Sequence, residues 1–211
     1  MSDSLHQVRA PQQARSQRTM ENLLDAAERI LLERGLEAVT VPEVVKAAGS
    51  SVGAFYTRFP DKRALLETVH QRACARSLAQ AEGLLDPARW ADSSVRDLVR
   101  AGVQLAVEVF GSRRNIMNAF AVAFAGDAAF AGRRASTALA ISDRLTALVL
   151  SKKEHIGHPH PARAVEMGLR VVTATLEQRN AFAVSGRAEV ALADAVLVRE
   201  LDRMICAYLE V

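Results

Sequence analysis

The chain has 211 residues, half of them apolar and 24% charged, and its 27 Lys and Arg against 24 Asp and Glu give a formal net charge of +3. That length is enough for one or two domains with a real hydrophobic core, and only 11 Gly and 6 Pro exclude collagen-like, linker-rich or broadly disordered organisation. Two distant cysteines, Cys74 and Cys206, build no disulfide framework, the polar and basic opening MSDSLHQVRAPQQARSQRTM is no secretory signal, and no run of about 18 apolar residues offers a membrane span. A cytoplasmic chain with no membrane partner is therefore expected.

Helix-forming Ala, Leu, Arg, Glu and Val dominate and β-branched alternation is almost absent, which predicts an all-α fold. Residues 1–14 read as a flexible basic arm. A first helix is predicted over Ser16 to Arg34, with Leu23, Ala27, Ile30 and Leu31 on one face and Gly35 as its stop. Thr40-Val41-Pro42-Glu43 reads as a capping box that opens a second helix of about two turns, closed at Gly49. Ser51 caps a third, predicted to run from Val52 to Phe59 before Pro60, and Asp61 caps a fourth. Breaks near Asp86-Pro87, Gly111-Ser112, Gly126-Asp127, Gly157 to Pro161 and Ser185-Gly186 divide the rest into helices near 94–110, 113–125, 128–153, 162–184 and 188–209. Ser94 with Asp97 reads as another capping box.

Two short helices joined by a glycine turn, the second capped by serine, form a helix-turn-helix pattern. Such short helices must pack on their neighbours to persist in water. Phe55 and Phe59 share a face and point to a small core, which leaves Val52, Gly53, Ala54, Tyr56, Thr57 and Arg58 towards the outside. Gly53 and Ala54 are small enough to let the backbone sit deep in a DNA major groove. Residues 46–63 hold Lys46, Arg58, Lys62 and Arg63 against Asp61 alone, and residues 1–20 hold Arg9, Arg15 and Arg18 against Asp3 alone. Positive charge is thus concentrated at the arm and the reading helix, where phosphates would lie. The alternative is a small helical core with a solvated charged rim.

The run VTVPEVVKAAGSSVGAFYTRFPDKRALL, Val39 to Leu66, resembles the DNA-binding domain of the TetR family of bacterial transcriptional regulators. The likeness extends over roughly Arg15 to Val69 and joins several spaced features: the Thr-Val start, the Ala-Gly-x-Ser turn, the Gly-x-Phe-Tyr core, the Tyr-x-x-Phe pair and the following lysine. It implies a homodimeric regulator with an N-terminal three-helix reading unit, residues 15–62, and a larger helical ligand-binding and dimerisation domain, residues 63–211. It also implies roles. Thr40 caps its helix and touches phosphate, Tyr56 meets phosphate through its hydroxyl, and Lys62 contacts the DNA backbone. Val52 and Ala54 meet base edges, and Arg58 stands at a further phosphate position. Ser51, Gly53 and Thr57 complete the expected DNA-binding set. The implied partners are a palindromic double-stranded operator, a small-molecule effector and a second copy of the chain.

In the larger domain Val172 and Leu176 lie on one helix that is apolar almost all round, and Val190, Leu197, Leu201, Met204 and Tyr208 on another. Helices apolar on several faces need burial on several faces. A four-helix bundle at a two-fold axis supplies it, with a buried core pair as the alternative. Asn115, Met117, Asn118, Phe120 and Phe124 mix aromatic, Met and amide side chains among alanines, a lining that suits a pocket for a lipophilic effector, although taken singly each fits ordinary core better than ligand contact. Trp90, Gln104 and Phe110 are weaker lining candidates.

No catalytic residues, cofactor or metal site are expected. His70 and Cys74, spaced i, i+4, could form a Cys–His pair in a helical-bundle enzyme, but no orienting group or oxyanion site accompanies them. His155, His158 and His160 cluster at a helix break without the pattern of a known metal site. The leading expectation is a ligand-responsive DNA-binding repressor. The enzyme and a constitutive DNA-binding protein without ligand are the alternatives.

Overall fold

The computed structural model describes residues 9–112, 120, 123–184 and 192–211. Among these there are helices and turns and no strand, so the fold is all-α. The chain divides into two compact units, Met1–Ala73 with Asn115–Ala125, and Cys74–Arg114 with Gly126–Val211. The division falls at Ala73, inside a helix, rather than at the expected boundary after Lys62.

In the first unit α1 spans Arg9–Arg34. It begins seven residues before the expected Ser16, so positions 9–14 of the expected arm are helical. Pro11 permits this because it falls in the first turn, where its missing N–H has no intrahelical acceptor. Gly35, at φ 79° and ψ −178°, ends α1 in a region essentially reserved for glycine, and a 3₁₀ turn, Leu36–Ala38, follows. Then come α2, Val41–Ala47, and α3, Val52–Tyr56, the latter shorter than predicted. Phe59 lies outside α3, but its N–H still reaches the Phe55 carbonyl (2.9 Å). Asp61 accepts from the Ala64 N–H (2.8 Å) and opens α4, Lys62–Leu84.

Leu23, Ala27, Ile30 and Leu31 of α1, Val44 and Val45 of α2, and Leu65, Leu66 and Val69 of α4 are buried with Phe55 and Phe59. The two phenylalanine rings pack at 5.6 Å. Burying each such side chain contributes about 1.5–3 kcal/mol, which is what holds helices of five and seven residues in place. Arg72 of α4 clasps Asp25 and Glu28 of α1, each at 2.6 Å.

In the second unit α5 spans Val95–Ser112, α6 Ala128–Leu150, α7 Pro161–Val184 and α8 Asp194–Leu209. Ser94 and Asp97 form the full reciprocal box: the Asp97 N–H donates to Ser94 Oγ and the Ser94 N–H to Asp97 Oδ2, both at 3.1 Å. Asp127 caps α6 through the Phe130 N–H (2.9 Å). The predicted break at Ser185-Gly186 and most of the predicted helix near 113–125 lie outside the described residues. Leu98, Val103, Leu148, Val165, Leu176, Leu201 and Leu209 are central to the core of this unit.

Candidate nucleic-acid interface

The interface candidate is the tip of α3, and it is built by caps rather than by length. Thr40 Oγ1 accepts from the Glu43 N–H (3.4 Å) and Ser51 Oγ from the Ala54 N–H (3.1 Å). Gly49, at φ +59°, makes the turn between α2 and α3 in the left-handed region that other residues rarely adopt. Only half of the expected box at Thr40 forms. Glu43 does not return to the Thr40 N–H, which bonds the Ala38 carbonyl (3.0 Å), because Arg34 holds its carboxylate at 2.6 Å. That guanidinium also holds the Glu43 carboxyl below the ordinary carboxylate range.

Phe55 is fully buried, and it anchors α3 so that the opposite side is open. Val52 is 49% and Tyr56 55% exposed, among exposed Ser51, Gly53 and Thr57 and half-buried Ala54. A surface of one aliphatic group, one phenol and small residues suits apolar and hydroxyl contact with base edges and phosphates. Thr57 Oγ1 bonds back to the Gly53 carbonyl (2.8 Å).

The two cations expected at phosphates also work inside the unit. Arg58 donates through Nη1 to the Ala54 carbonyl (2.7 Å), and through Nη2 to the Ser16 carbonyl (3.2 Å) and Oγ (3.1 Å). It therefore ties α3 to α1, a positioning role that its charge alone did not announce. Lys62 is half-buried and donates to the Leu36 carbonyl (3.2 Å), which leaves two of its three N–H bonds for another acceptor. Neither tie carries a local sequence signal, since the partners are 42 and 26 residues away.

Residues 23–69 match the model for bacterial regulatory proteins of the tetR family. That segment, Leu23 to Val69, carries the TetR-family signature. It is 34% identical over 65 residues to the HTH-type transcriptional regulator YvdT of Bacillus subtilis, a match that covers 31% of this chain and 34% of YvdT. It is 31% identical over 99 residues to the HTH-type transcriptional repressor BepR of Brucella suis, over 47% of this chain and 46% of BepR. These matches thus span between a third and a half of the relatives' length. The solved structure of a transcriptional regulator from Rhodococcus sp. Rha1 shares the fold, with a TM-score of 0.63, 23% identity, and coverage of 92% of this chain and 96% of that one.

The other expected sites are placed differently. Phe120 is fully buried and packs edge-on against His70 (5.1 Å), while Phe124 lies 6.2 Å from Phe120 and under the Arg63 guanidinium (4.9 Å). Both pack into the first unit, and Phe124 also borders a cavity with Leu36, Lys62, Arg63 and Leu66. Asn115, Met117 and Asn118 lie outside the described residues. Trp90 and Phe110 pack against the core of the second unit, and Gln104 is exposed.

The expected dimer stripe splits. Val172, Leu176, Leu197 and Leu201 are buried in the core of their own subunit, a correction, while Met204 (54%) and Tyr208 (42%) are exposed; Val190 lies outside the described residues. The reason is angular: the buried arc of α8 runs through Leu197, Leu201, Ile205 and Leu209, with Met204 and Tyr208 at its margin. His158 stacks on Tyr208 (5.0 Å) and accepts from the His160 N–H (3.0 Å). Sequence reasoning also missed Arg179. Its signal was an arginine three residues after Leu176, where the apolar stripe calls for a core side chain.

Proposed function

We propose that the chain is a DNA-binding transcriptional regulator that acts as a homodimer, represses from a palindromic operator and is released by a small-molecule effector. The observation that carries this reading is the tip of α3: a capped helix anchored by Phe55, with Val52, Gly53, Tyr56 and Thr57 open to solvent. The similarity to BepR, a transcriptional repressor, supports the direction of regulation. Lys62 and Tyr56 contribute phosphate contacts, and Val52 and Ala54 meet base edges. A second copy covers the apolar margin of α7 and α8, where Met167 (49%), Met204 and Tyr208 are exposed. Two reading helices about 34–36 Å apart then enter successive major grooves. An effector releases DNA by preferring an arrangement in which that spacing is lost.

The test is fluorescence anisotropy of a labelled duplex from upstream of the chain's own gene, titrated with the full chain at several salt concentrations. Saturable binding whose log K falls linearly with log salt is the expected result. Absence of saturable binding to this duplex and to random-sequence DNA overturns the reading.

A further inference from the structure

On α7 the buried side chains Val165, Val172 and Leu176 form one stripe, and the next residue on it is Arg179. The Arg179 side chain is only 5% exposed. Its Nη1 donates to Asp194 Oδ1 at 2.6 Å, at the first residue of α8. Its Nε and Nη2 are buried and meet no acceptor among the described residues. These two nitrogens share one edge of the guanidinium, the edge that grips a carboxylate or phosphate through two parallel bonds. Arg170, on the same helix, uses that same edge: its Nε and Nη2 both donate to Glu166, at 3.2 and 2.7 Å. At Arg179 that edge has no acceptor among the described residues. A guanidinium does not shed its proton, so two buried donors without an acceptor stay costly until an acceptor arrives.

A second arginine repeats the pattern. Arg133 on α6 has a buried Nε with no acceptor among the described residues.

We propose that Arg179 anchors an oxyanion site in the second unit, and that its ligand is a small molecule bearing a carboxylate or a phosphate group. The identification of that molecule with the effector rests on the regulator reading above; the site itself does not.

The test is a calorimetric titration and a thermal melt of the full chain with sodium octanoate, with inorganic phosphate and with neutral octanol, at fixed ionic strength. Octanoate or phosphate is expected to bind and to raise the melting temperature by about 5–10 °C at a hundredfold excess over Kd, while octanol does not. The anion that binds distinguishes carboxylate from phosphate as the ligand's group. Arg179→Met is expected to melt no lower than the parent without ligand, since an incompletely paired buried charge is gone, and to lose the shift. Arg179→Lys keeps the charge without the fork; it is expected to keep the parent's far-UV spectrum and to bind the anion at least tenfold more weakly. No binding of either anion, or equal binding by the parent and Arg179→Lys, overturns the proposal. An anion held through Arg179 that leaves DNA binding unchanged upholds the site and removes its effector role. Failure of DNA binding altogether removes the regulator reading while the titration still decides the site.

Discussion

Arg58 illustrates how a side chain chosen for charge is used for shape. Its bonds to the Ala54 carbonyl and to Ser16 fix the tilt of α3 on α1. Arg58→Ala should lower the stability of the chain by about 2 kcal/mol, a midpoint shift in urea at unchanged m-value, as expected for charge-assisted hydrogen bonds. Arg58→Lys should recover little, because an ammonium cannot span Ala54 and Ser16 as a fork does. Full recovery by lysine would reduce Arg58 to a point charge. The contrast with Ser51 shows what a sequence displays at this scale. A cap acts on an N–H three residues away, so Ser51 was legible in its place; the Ser16 tie closes over 42 residues and has no local pattern.

At the scale of the element, patterning placed the helix starts well wherever a side chain caps them, at Thr40, Ser51, Asp61, Ser94 and Asp127. It failed where the outcome depended on a competitor. Glu43 is drawn from its box by Arg34 of α1, whereas Asp97 has Ser94 to itself. Both carboxyls are held below their ordinary range in the fold, Glu43 by Arg34 and Asp97 chiefly by the Ser94 hydrogen bonds. A carboxyl whose folded pKa lies below its unfolded one makes the unfolded chain the stronger proton binder between the two values. Its stabilisation is therefore complete above the ordinary carboxylate value and is lost as pH falls through the depressed one. Glu43→Gln and Asp97→Asn should each melt lower than the parent near neutrality and converge on it in acid, in melts recorded from about pH 2.5 to 7. A constant gap across that range would show that neither carboxyl titrates with folding. The early start of α1 was hidden by Pro11, which reads as a breaker until it is seen to fall in the first turn.

At the scale of the whole molecule, the apolar character of α7 and α8 was legible but its division between subunit core and outer face was not. A wheel drawn from sequence has no origin until the neighbouring helices fix one, and α5 fixes it with Leu197 and Leu201 inward. Leu201→Arg, at 3% exposure, should unfold the second unit rather than release folded monomers, because it buries an unpaired charge. Met204→Arg, at 54% exposure, should keep the helical spectrum and sediment as a monomer, with DNA affinity falling towards the non-specific level. A Met204→Arg chain that remains dimeric would move the two-fold face elsewhere. The most direct test of the central claim, that the exposed tip of α3 reads DNA, is selection from a random duplex pool with the parent chain and with Val52→Arg. Two consensus sequences, each two-fold symmetric with half-sites about one helical turn apart and differing at matched positions towards guanine, are predicted. The same consensus from both chains would contradict it.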